Sequence, residues 1–268
     1  MTIKSPLAAH ISRKHRILDL LLESRGWCSG EEIATRLGIS RAAVGKHIAL
    51  LKEEGHAIEA LPRRGYNLLA TNPPITRQQV ARWLDSRIIG QNEWRILQNT
   101  TSTNNEAILW ASMGAPPGSI VISEQQSQGK GRKGHDWLPT PRSLMFSVIL
   151  RPARDLGNIF TEIALKAVLD ATQRLSGMPT KAKAPNDVLL NNRKLAGILV
   201  ESGWRGHEPD WTVIGIGCNV NALAGEIPES ISSRATSLFM ESGRPVCRSQ
   251  LLALILSSLE KRYLACME

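Results

Sequence analysis

The first quarter of the chain carries apolar residues three and four positions apart, the spacing of amphipathic helices. This pattern predicts one helix over residues 13–23 and two more within residues 29–55. Ser29 and Ser40 stand where helix N-caps are expected, and Gly38 separates the second helix from the third. Two helices joined by a tight glycine turn predict a helix-turn-helix unit.

A strand-like pattern follows in HAIEALPRRGYNLL, residues 56–69, which predicts a hairpin with residues 62–65 at its tip. A basic hairpin after a helix-turn-helix is typical of the wing of a winged helix. We therefore predict that the third helix reads the major groove of DNA and that the wing contacts phosphates. On the residues alone, a protein-interaction domain with a solvated basic face is the alternative. The predicted DNA-contacting residues are Ser40, Arg41, Lys46, His47, Arg63 and Arg64.

The segment ATNPPI, residues 70–75, is polar and rich in proline, as linkers are. It predicts two domains, a winged helix-turn-helix over residues 1–70 and a second domain over residues 71–268. In the second domain, short apolar strands alternate with amphipathic helices, and several strands are joined as hairpins. This mixture predicts an α+β fold with a largely antiparallel sheet that carries helices.

Composition indicates a kind of partner and a compartment. The 268 residues carry a net charge of +9, and residues 1–66 hold 11 Lys/Arg against 7 Asp/Glu, so +4 lies in the first quarter. This basic first domain suits a polyanion such as DNA. No apolar run approaches the roughly 20 residues that span a bilayer, and none of the four cysteines forms a CxxC pair. We expect a cytoplasmic protein with reduced thiols, no membrane association and no metal-ligating residue.

The stretch GKGRKGHDW, residues 129–137, alternates glycines with cations between two predicted strands. No Ser or Thr follows the lysine, so it is not a P-loop. Its cations can surround an anion through charge-assisted hydrogen bonds, and its glycines allow it to close over a ligand. On the residues alone, three readings stay open: a phosphate or carboxylate site, a flexible basic surface loop and a nucleic-acid contact.

Two further stretches contain candidate ligand contacts. In APNDVLLNNRKLAGILVE, residues 184–201, the asparagine pair predicts a two-residue hairpin turn. That turn pairs Asp187 with Ala196 and places Asp187 and Lys194 on one face, within reach of one ligand or of each other in a structural ion pair. In TSTNNEA, residues 101–107, the hydroxyl and amide groups either cap the next helix or face a ligand.

Taken in order, STN, EQQSQGKGRKG, KAPND, RKLAGILVE and IGIGCNVN are the motif set of the biotin protein ligases. With the winged helix in front, residues 10–268 resemble the bifunctional members of that family, which also repress biotin synthesis genes. The resemblance implies a mixed sheet with helices, similar to class II aminoacyl-tRNA synthetases and lipoate ligases. It implies activation of biotin by ATP and Mg²⁺ to biotinyl-5′-AMP, then transfer to a lysine of the biotin carboxyl carrier protein. It also implies a homodimer that forms with bound adenylate and binds operator DNA.

The same resemblance assigns roles to individual residues. The glycine-rich stretch matches the loop that contacts biotin and the adenylate phosphate. Lys194 matches the lysine at the biotin carboxylate and the α-phosphate, and Lys194, Arg132 and Lys183 are the expected catalytic residues. The expected biotin-binding residues are Ser102, Thr103, Asn104, Gln126, Lys130, Gly131, Arg132 and Lys194. The expected nucleotide-binding residues are Arg132, Trp137, Asn186 and Asp187, with a purely structural core role as the alternative for Trp137.

The sequence also departs from the family pattern. Ala184 replaces the family's tryptophan, which is expected to remove a packing surface beside the biotin pocket. Lys130 replaces an arginine and cannot fork onto an anion. The chain ends at Glu268, without the small C-terminal β-barrel domain that bifunctional members usually carry. These departures motivate one alternative, a non-enzymatic, biotin-responsive DNA-binding regulator with a degenerate ligase domain. A second alternative is a ligase for another carboxylate, such as lipoate.

Overall fold

The protein is described from a computed structural model, which covers residues 13–24, 26–53, 56–69, 73–134 and 136–267. Three helices and a hairpin form the N-terminal domain, in the order that the sequence predicts. They are α1 (Arg13–Glu23), α2 (Gly30–Leu37), α3 (Arg41–Glu53), β1 (Ile58–Leu61) and β2 (Gly65–Leu68). This arrangement confirms the predicted winged helix-turn-helix.

The turn between α2 and α3 follows from its local residues. The Ser29 hydroxyl accepts a hydrogen bond from the backbone N–H three residues on, and Gly38 ends α2 in the left-handed conformation, with φ of 61°. From α3, Val44, Ile48 and Leu51 enter the apolar core of this domain, as their spacing predicts. The opposite side of α3 is thereby turned to solvent.

A seven-stranded sheet forms the centre of the second domain. Its strands are β3 (Trp94–Thr100), β4 (Ile120–Gln126), β5 (Leu144–Leu150), β6 (Thr180–Lys183), β7 (Asp187–Leu190), β8 (Arg193–Arg205) and β9 (Glu208–Cys218). The strand order is β3-β4-β5-β9-β8-β7-β6, and every neighbouring pair is antiparallel except β3 with β4. The largely antiparallel α+β fold is therefore confirmed.

Helices cover both faces of this sheet. They are α4 (Arg77–Ala81), α5 (Thr103–Ser112), α6 (Ile159–Ser176), α7 (Glu229–Ser232), α8 (Leu238–Ser242) and α9 (Arg248–Met267). One face packs against α5 through Ala107 and Trp110, while α6 and α9 pack together on the other. All residues of the inner strand β5 are buried, which explains why its sequence is a continuous apolar run rather than an alternating one.

The predicted β7–β8 hairpin is correct in its turn and wrong in part of its register. Residues 191–192 form the turn with φ of 49° and 60°. A β-bulge then shifts the pairing, so Asp187 lies opposite Gly197 rather than Ala196. The extra residue allows Leu195 and Ala196, neighbours in sequence, both to be fully buried.

The buried apolar residues form separate cores on the two sides of the linker. One core runs from Ile17 to Leu68, and another begins at Ile75. The predicted boundary between residues 70 and 71 lies outside the described residues. Within the described ranges, no helix combines the length and the apolar character needed to cross a bilayer.

Candidate functional site

A cleft of about 210 Å³, here called the central cleft, lies between the start of α5, the glycine-rich loop and strands β8 and β9. It brings together nearly all the ligand-contacting residues that the sequence predicts. Lys183 is the exception, because it lines a neighbouring cleft instead. The predicted residues that line the central cleft are Ser102, Thr103, Asn104, Gln126, Lys130, Gly131, Arg132, Trp137, Asn186, Asp187 and Lys194.

Glycines on β9 form the floor of the central cleft. A Cβ atom at Gly217 would lie 2.6 Å from Cε2 of Trp137, and one at Gly215 would overlap the amide of Asn104. Both side chains therefore lie directly on the strand backbone. The alternating glycines of the IGIGC stretch are explained by this close approach.

A buried hydrogen-bond network orients Asn104. Its Nδ2 donates to a Glu201 carboxylate oxygen at 2.8 Å, and its Oδ1 accepts from the Ser147 hydroxyl at 2.7 Å. Ser147 Oγ also lies 2.9 Å from the Thr103 hydroxyl. The side chain of Ser102, at the N-cap position of α5, makes no capping hydrogen bond. These polar groups thus face the cleft and do not act as the side-chain caps that were the alternative.

Gln126 connects β4 to the start of α5. Its Oε1 accepts a hydrogen bond from the backbone N–H of Thr103 at 2.7 Å, satisfying one of the free N–H groups of the helix terminus. Its Nε2 contacts the sulfur of Met145 at 3.4 Å. One end of the cleft is consequently lined by amides and hydroxyls in fixed orientations.

The other end of the central cleft carries charge. Lys194 Nζ lies 2.7 Å from Asp187 Oδ1 and 5.5 Å from the centroid of the Trp137 ring. The contact between Lys194 and Asp187 was one of the two predicted outcomes. The Lys194 side chain is 38% exposed, so an anion can reach it without unfolding the site.

The glycine-rich loop is held at its ends. Ser127 and Gln128 donate backbone hydrogen bonds to residues 100 and 101, and Trp137 donates one to the Gly129 carbonyl. Between these anchors, Lys130 and Arg132 are exposed at the cleft. The loop therefore presents two cations to the central cleft, in addition to Lys194.

The structure bears on two of the expectations about individual residues. Ala184 is exposed and is not among the described residues that line either cleft, while Lys183 and Asn186 on either side of it are. Trp137 lies inside the cleft rather than in an apolar core, and its buried Nε1 has no hydrogen-bond partner among the described residues. A buried indole N–H without an acceptor is costly unless a ligand or water completes it.

Comparisons with known proteins agree with both domains. Residues 95–219 match the model of the biotin/lipoate A/B protein ligase family, and residues 13–67 match that of a helix-turn-helix domain. The bifunctional ligase/repressor BirA of Bacillus spizizenii is 35% identical over 239 residues, covering 88% of this chain and 73% of that protein. The chain belongs to the biotin protein ligase family.

Other members of this family extend the comparison. The Escherichia coli bifunctional ligase/repressor is 31% identical over 245 residues, covering 89% of this chain and 73% of that protein. The biotin protein ligase of Aquifex aeolicus, solved in complex with biotin and ATP, aligns with a TM-score of 0.56 and 28% identity, over 63% of this chain and 69% of that structure. The Bacillus and Escherichia coli relatives are thus both ligases and repressors, and the Aquifex protein is a biotin protein ligase.

The winged helix of this biotin protein ligase family member presents most of its predicted DNA contacts to solvent. Arg41, Lys46 and both wing arginines are exposed. Ser40 caps α3, since its hydroxyl accepts from the Ala43 N–H. His47 was expected on the same outer face but is partly buried, with Nδ1 enclosed and no hydrogen-bond partner among the described residues.

The structure adds Trp27, which sequence motifs did not indicate, to the residues beside the wing. Arg64 of the wing stacks on the ring of Trp27, with its Cζ 4.7 Å from the ring centroid. Cys28 and Tyr66 exchange two backbone hydrogen bonds of 2.8 Å, so the segment before α2 pairs with β2. This pairing places Trp27 beside the wing, although the two are far apart in sequence.

Proposed function

We propose that this chain is an ATP-dependent biotin protein ligase and a repressor controlled by the adenylate that it makes. In this reaction a biotin carboxylate oxygen attacks the α-phosphorus of ATP, and pyrophosphate leaves. A lysine of the biotin carboxyl carrier protein then attacks the acyl carbon, and AMP leaves. The observation that carries the proposal is the central cleft itself, whose lining combines oriented amides and hydroxyls with the cations Lys130, Arg132 and Lys194.

The amide end suits the ureido ring of biotin. That ring has a carbonyl acceptor and two N–H donors, and hydroxyl and amide side chains can satisfy both. We assign this role to Ser102, Thr103, Asn104 and Gln126. The Glu201 and Ser147 contacts fix which atoms of Asn104 donate and accept, so the site is preorganised before biotin enters.

The cationic end suits the carboxylate and the α-phosphate. We assign Lys194, Lys130 and Arg132 to stabilising the charge that develops during adenylate formation, with Gly131 allowing the loop to approach. Trp137, Asn186 and Asp187 contact the nucleotide. Mg²⁺ enters bound to the phosphates of ATP. Because those phosphates supply oxygen ligands, the ion needs few carboxylates from the protein. No enzyme nucleophile is required, because ATP and biotin supply the reacting atoms.

The repressor activity rests on the winged helix. We assign DNA contacts to Ser40, Arg41, Lys46, Arg63 and Arg64, and we leave out His47 because it is partly buried. Homodimerisation in the adenylate-bound state would place two such domains on a two-fold operator. Cytoplasmic localisation, where carrier protein and DNA are both present, belongs to the same proposal.

The decisive experiment is incorporation of labelled biotin into a biotin carboxyl carrier domain by the purified protein with ATP and Mg²⁺. Lys194→Ala should lose incorporation, while Lys166→Ala, which changes an exposed lysine on α6, should not. If biotin binds but the wild type transfers none, the protein is a biotin-responsive regulator without ligase activity. If biotin does not bind and lipoate does, the substrate assignment is wrong.

A further inference from the structure

A second cleft of about 460 Å³, here called the outer cleft, continues from the central cleft past Lys194. The two clefts share Asp136, Trp137, Asp187 and Lys194. A ligand bound at Lys194 can therefore extend from one cleft into the other. The outer cleft is bounded on its far side by the segment around α7, which contributes Arg234.

The outer cleft has an excess of positive charge. Its charged lining residues are Lys183, Lys194 and Arg234 against Asp136 and Asp187. Asp187 is already paired with Lys194. Among the described residues, Lys183 and Arg234 have no carboxylate partner, and the Arg234 guanidinium makes one long hydrogen bond, of 3.2 Å, to the Ser230 carbonyl. Two cations are thus available to an anion.

The backbone fixes Arg234 next to the reacting centre. The Lys194 N–H donates to the Arg234 carbonyl at 2.7 Å, and the Thr236 N–H donates to the Lys194 carbonyl at 2.9 Å. Residue 235 consequently forms a short parallel bridge with Lys194. The backbone of Arg234 is therefore hydrogen-bonded directly to that of Lys194, while its side chain is exposed.

We propose that Arg234 binds the β- and γ-phosphates of ATP and stabilises pyrophosphate as it leaves. This assignment rests on the proposed ligase activity. When the biotin carboxylate attacks the α-phosphorus, the bond to the bridging oxygen breaks, and that oxygen keeps the electron pair. Negative charge then grows on the pyrophosphate side, where Arg234 can donate charge-assisted hydrogen bonds together with Lys183.

The test separates the two half-reactions. Arg234→Gln should slow biotin-dependent exchange of labelled pyrophosphate into ATP by about 10- to 100-fold, the range expected for a lost charge-assisted hydrogen bond. Single-turnover transfer from preformed biotinyl-5′-AMP to the carrier domain should be unchanged, because pyrophosphate is absent from that step. Arg234→Lys should recover part of the exchange rate. Arg205→Gln, which changes an exposed arginine on the β8–β9 hairpin, is the matched control.

Each other result overturns the assignment. If both half-reactions slow equally, Arg234 supports the fold or the adenosine, and not the pyrophosphate. If neither slows, Arg234 has no role in the reaction. A wild type without any exchange would refute the ligase proposal instead. In that case calorimetric binding of inorganic pyrophosphate still tests this residue, with at least tenfold weaker binding expected for Arg234→Gln and equal affinity counting against it.

Discussion

Gly215 allows the Asn104 amide to lie directly on strand β9, because the amide occupies the space where a side chain at position 215 would stand. The same amide exchanges hydrogen bonds with Ser147 and Glu201 and lines the cleft. A single methyl group at this position would therefore act on the ligand site through Asn104. No hydrogen-bonding group is removed by this change, so its effect on the site comes from displacement of the Asn104 amide.

We predict that Gly215→Ala displaces Asn104 and weakens biotin binding by about 10- to 100-fold, corresponding to one or two lost hydrogen bonds of about 1–3 kcal/mol. Isothermal calorimetry with biotin measures the effect. The control is Gly225→Ala, where an added Cβ would meet no atom within 4 Å. An unchanged dissociation constant for Gly215→Ala would show that the Asn104 network does not form the biotin site.

At the scale of residues, sequence motifs predict the side chains that line the cleft better than the side chains that orient them through hydrogen bonds. Asn104 and Gln126 were assigned from motifs, and the cleft contains both. Ser147 and Glu201 were not assigned a role, although they orient Asn104. Their contacts cross 43 and 97 positions of sequence, so they depend on how β5 and β8 approach α5. No local sequence pattern predicts how closely these strands approach α5.

At the scale of elements, the wing depends on a residue outside it. Trp27 precedes α2, yet it supports Arg64 because the segment at Cys28 pairs with β2. We predict that Trp27→Leu weakens binding of duplex DNA and lowers the slope of log affinity against log salt by about one phosphate contact, or about 0.9. Arg64→Ala should produce the same change in slope. Fluorescence anisotropy across a salt series measures both.

The double variant decides whether the two residues act together. Trp27→Leu combined with Arg64→Ala should be no weaker in DNA binding than Arg64→Ala alone, since the ring acts only through the arginine. Trp204→Leu removes an exposed tryptophan in the other domain and should leave the salt slope unchanged. Additive losses in the double variant would mean that Trp27 contacts DNA itself or supports the fold.

Helix α8 is tied to the β7–β8 turn through Glu241. The carboxylate accepts hydrogen bonds from Arg193, Asn191 and Thr236. Burial raises the pKa of Glu241, but these hydrogen bonds and the Arg193 charge outweigh it, so the pKa lies below its ordinary value. The anchor therefore contributes fully above the unfolded pKa of about 4.5 and is lost as the pH falls through the lower, folded value.

We predict that Glu241→Gln is about 1–2 kcal/mol less stable than the wild type at neutral pH. The difference should shrink as the pH falls from about 5 to 3, because the wild-type carboxylate is then protonated. Urea unfolding at a series of pH values measures it. Glu229→Gln, at an exposed position on α7, should track the wild type throughout. A deficit that persists at low pH would mean that Glu241 stabilises the protein by packing and not by charge.

The helices and strands can be predicted from the sequence more completely than the register in which the strands pair. Helical spacing, Ser29 and Gly38 predict the helix-turn-helix, and apolar runs predict the strands. The bulge that places Asp187 opposite Gly197 was not predicted, because alternation was assumed to continue unbroken. Burial of Leu195 and Ala196 on consecutive positions requires the extra residue. The contact of Asp187 with Lys194 nevertheless forms, with the carboxylate oxygen 2.7 Å from Nζ.

At the scale of the whole molecule, Arg248 joins segments that are distant in the chain. Its guanidinium is bidentate to Glu124 of β4, at 2.8 and 2.9 Å, and it also donates to the carbonyls of Pro73 and Ser143. Pro73 belongs to the linker, and Glu124 lies two residues before Gln126 of the central cleft. The first residue of α9 thus connects the linker to the strand that leads into the ligand site.

Because Arg248 is 3% exposed, removing it would take the guanidinium away from the largely buried Glu124 carboxylate. We predict that Arg248→Met destabilises the protein by about 3–5 kcal/mol, measured by urea unfolding. Arg248→Met combined with Glu124→Leu should be less destabilising than Arg248→Met alone, because the carboxylate whose charge Arg248 balances is removed as well. Arg154→Met, on the surface, serves as the control. If the double variant is instead less stable than Arg248→Met, Glu124 stabilises the protein through contacts other than Arg248, and an unbalanced carboxylate is not the cause of the loss.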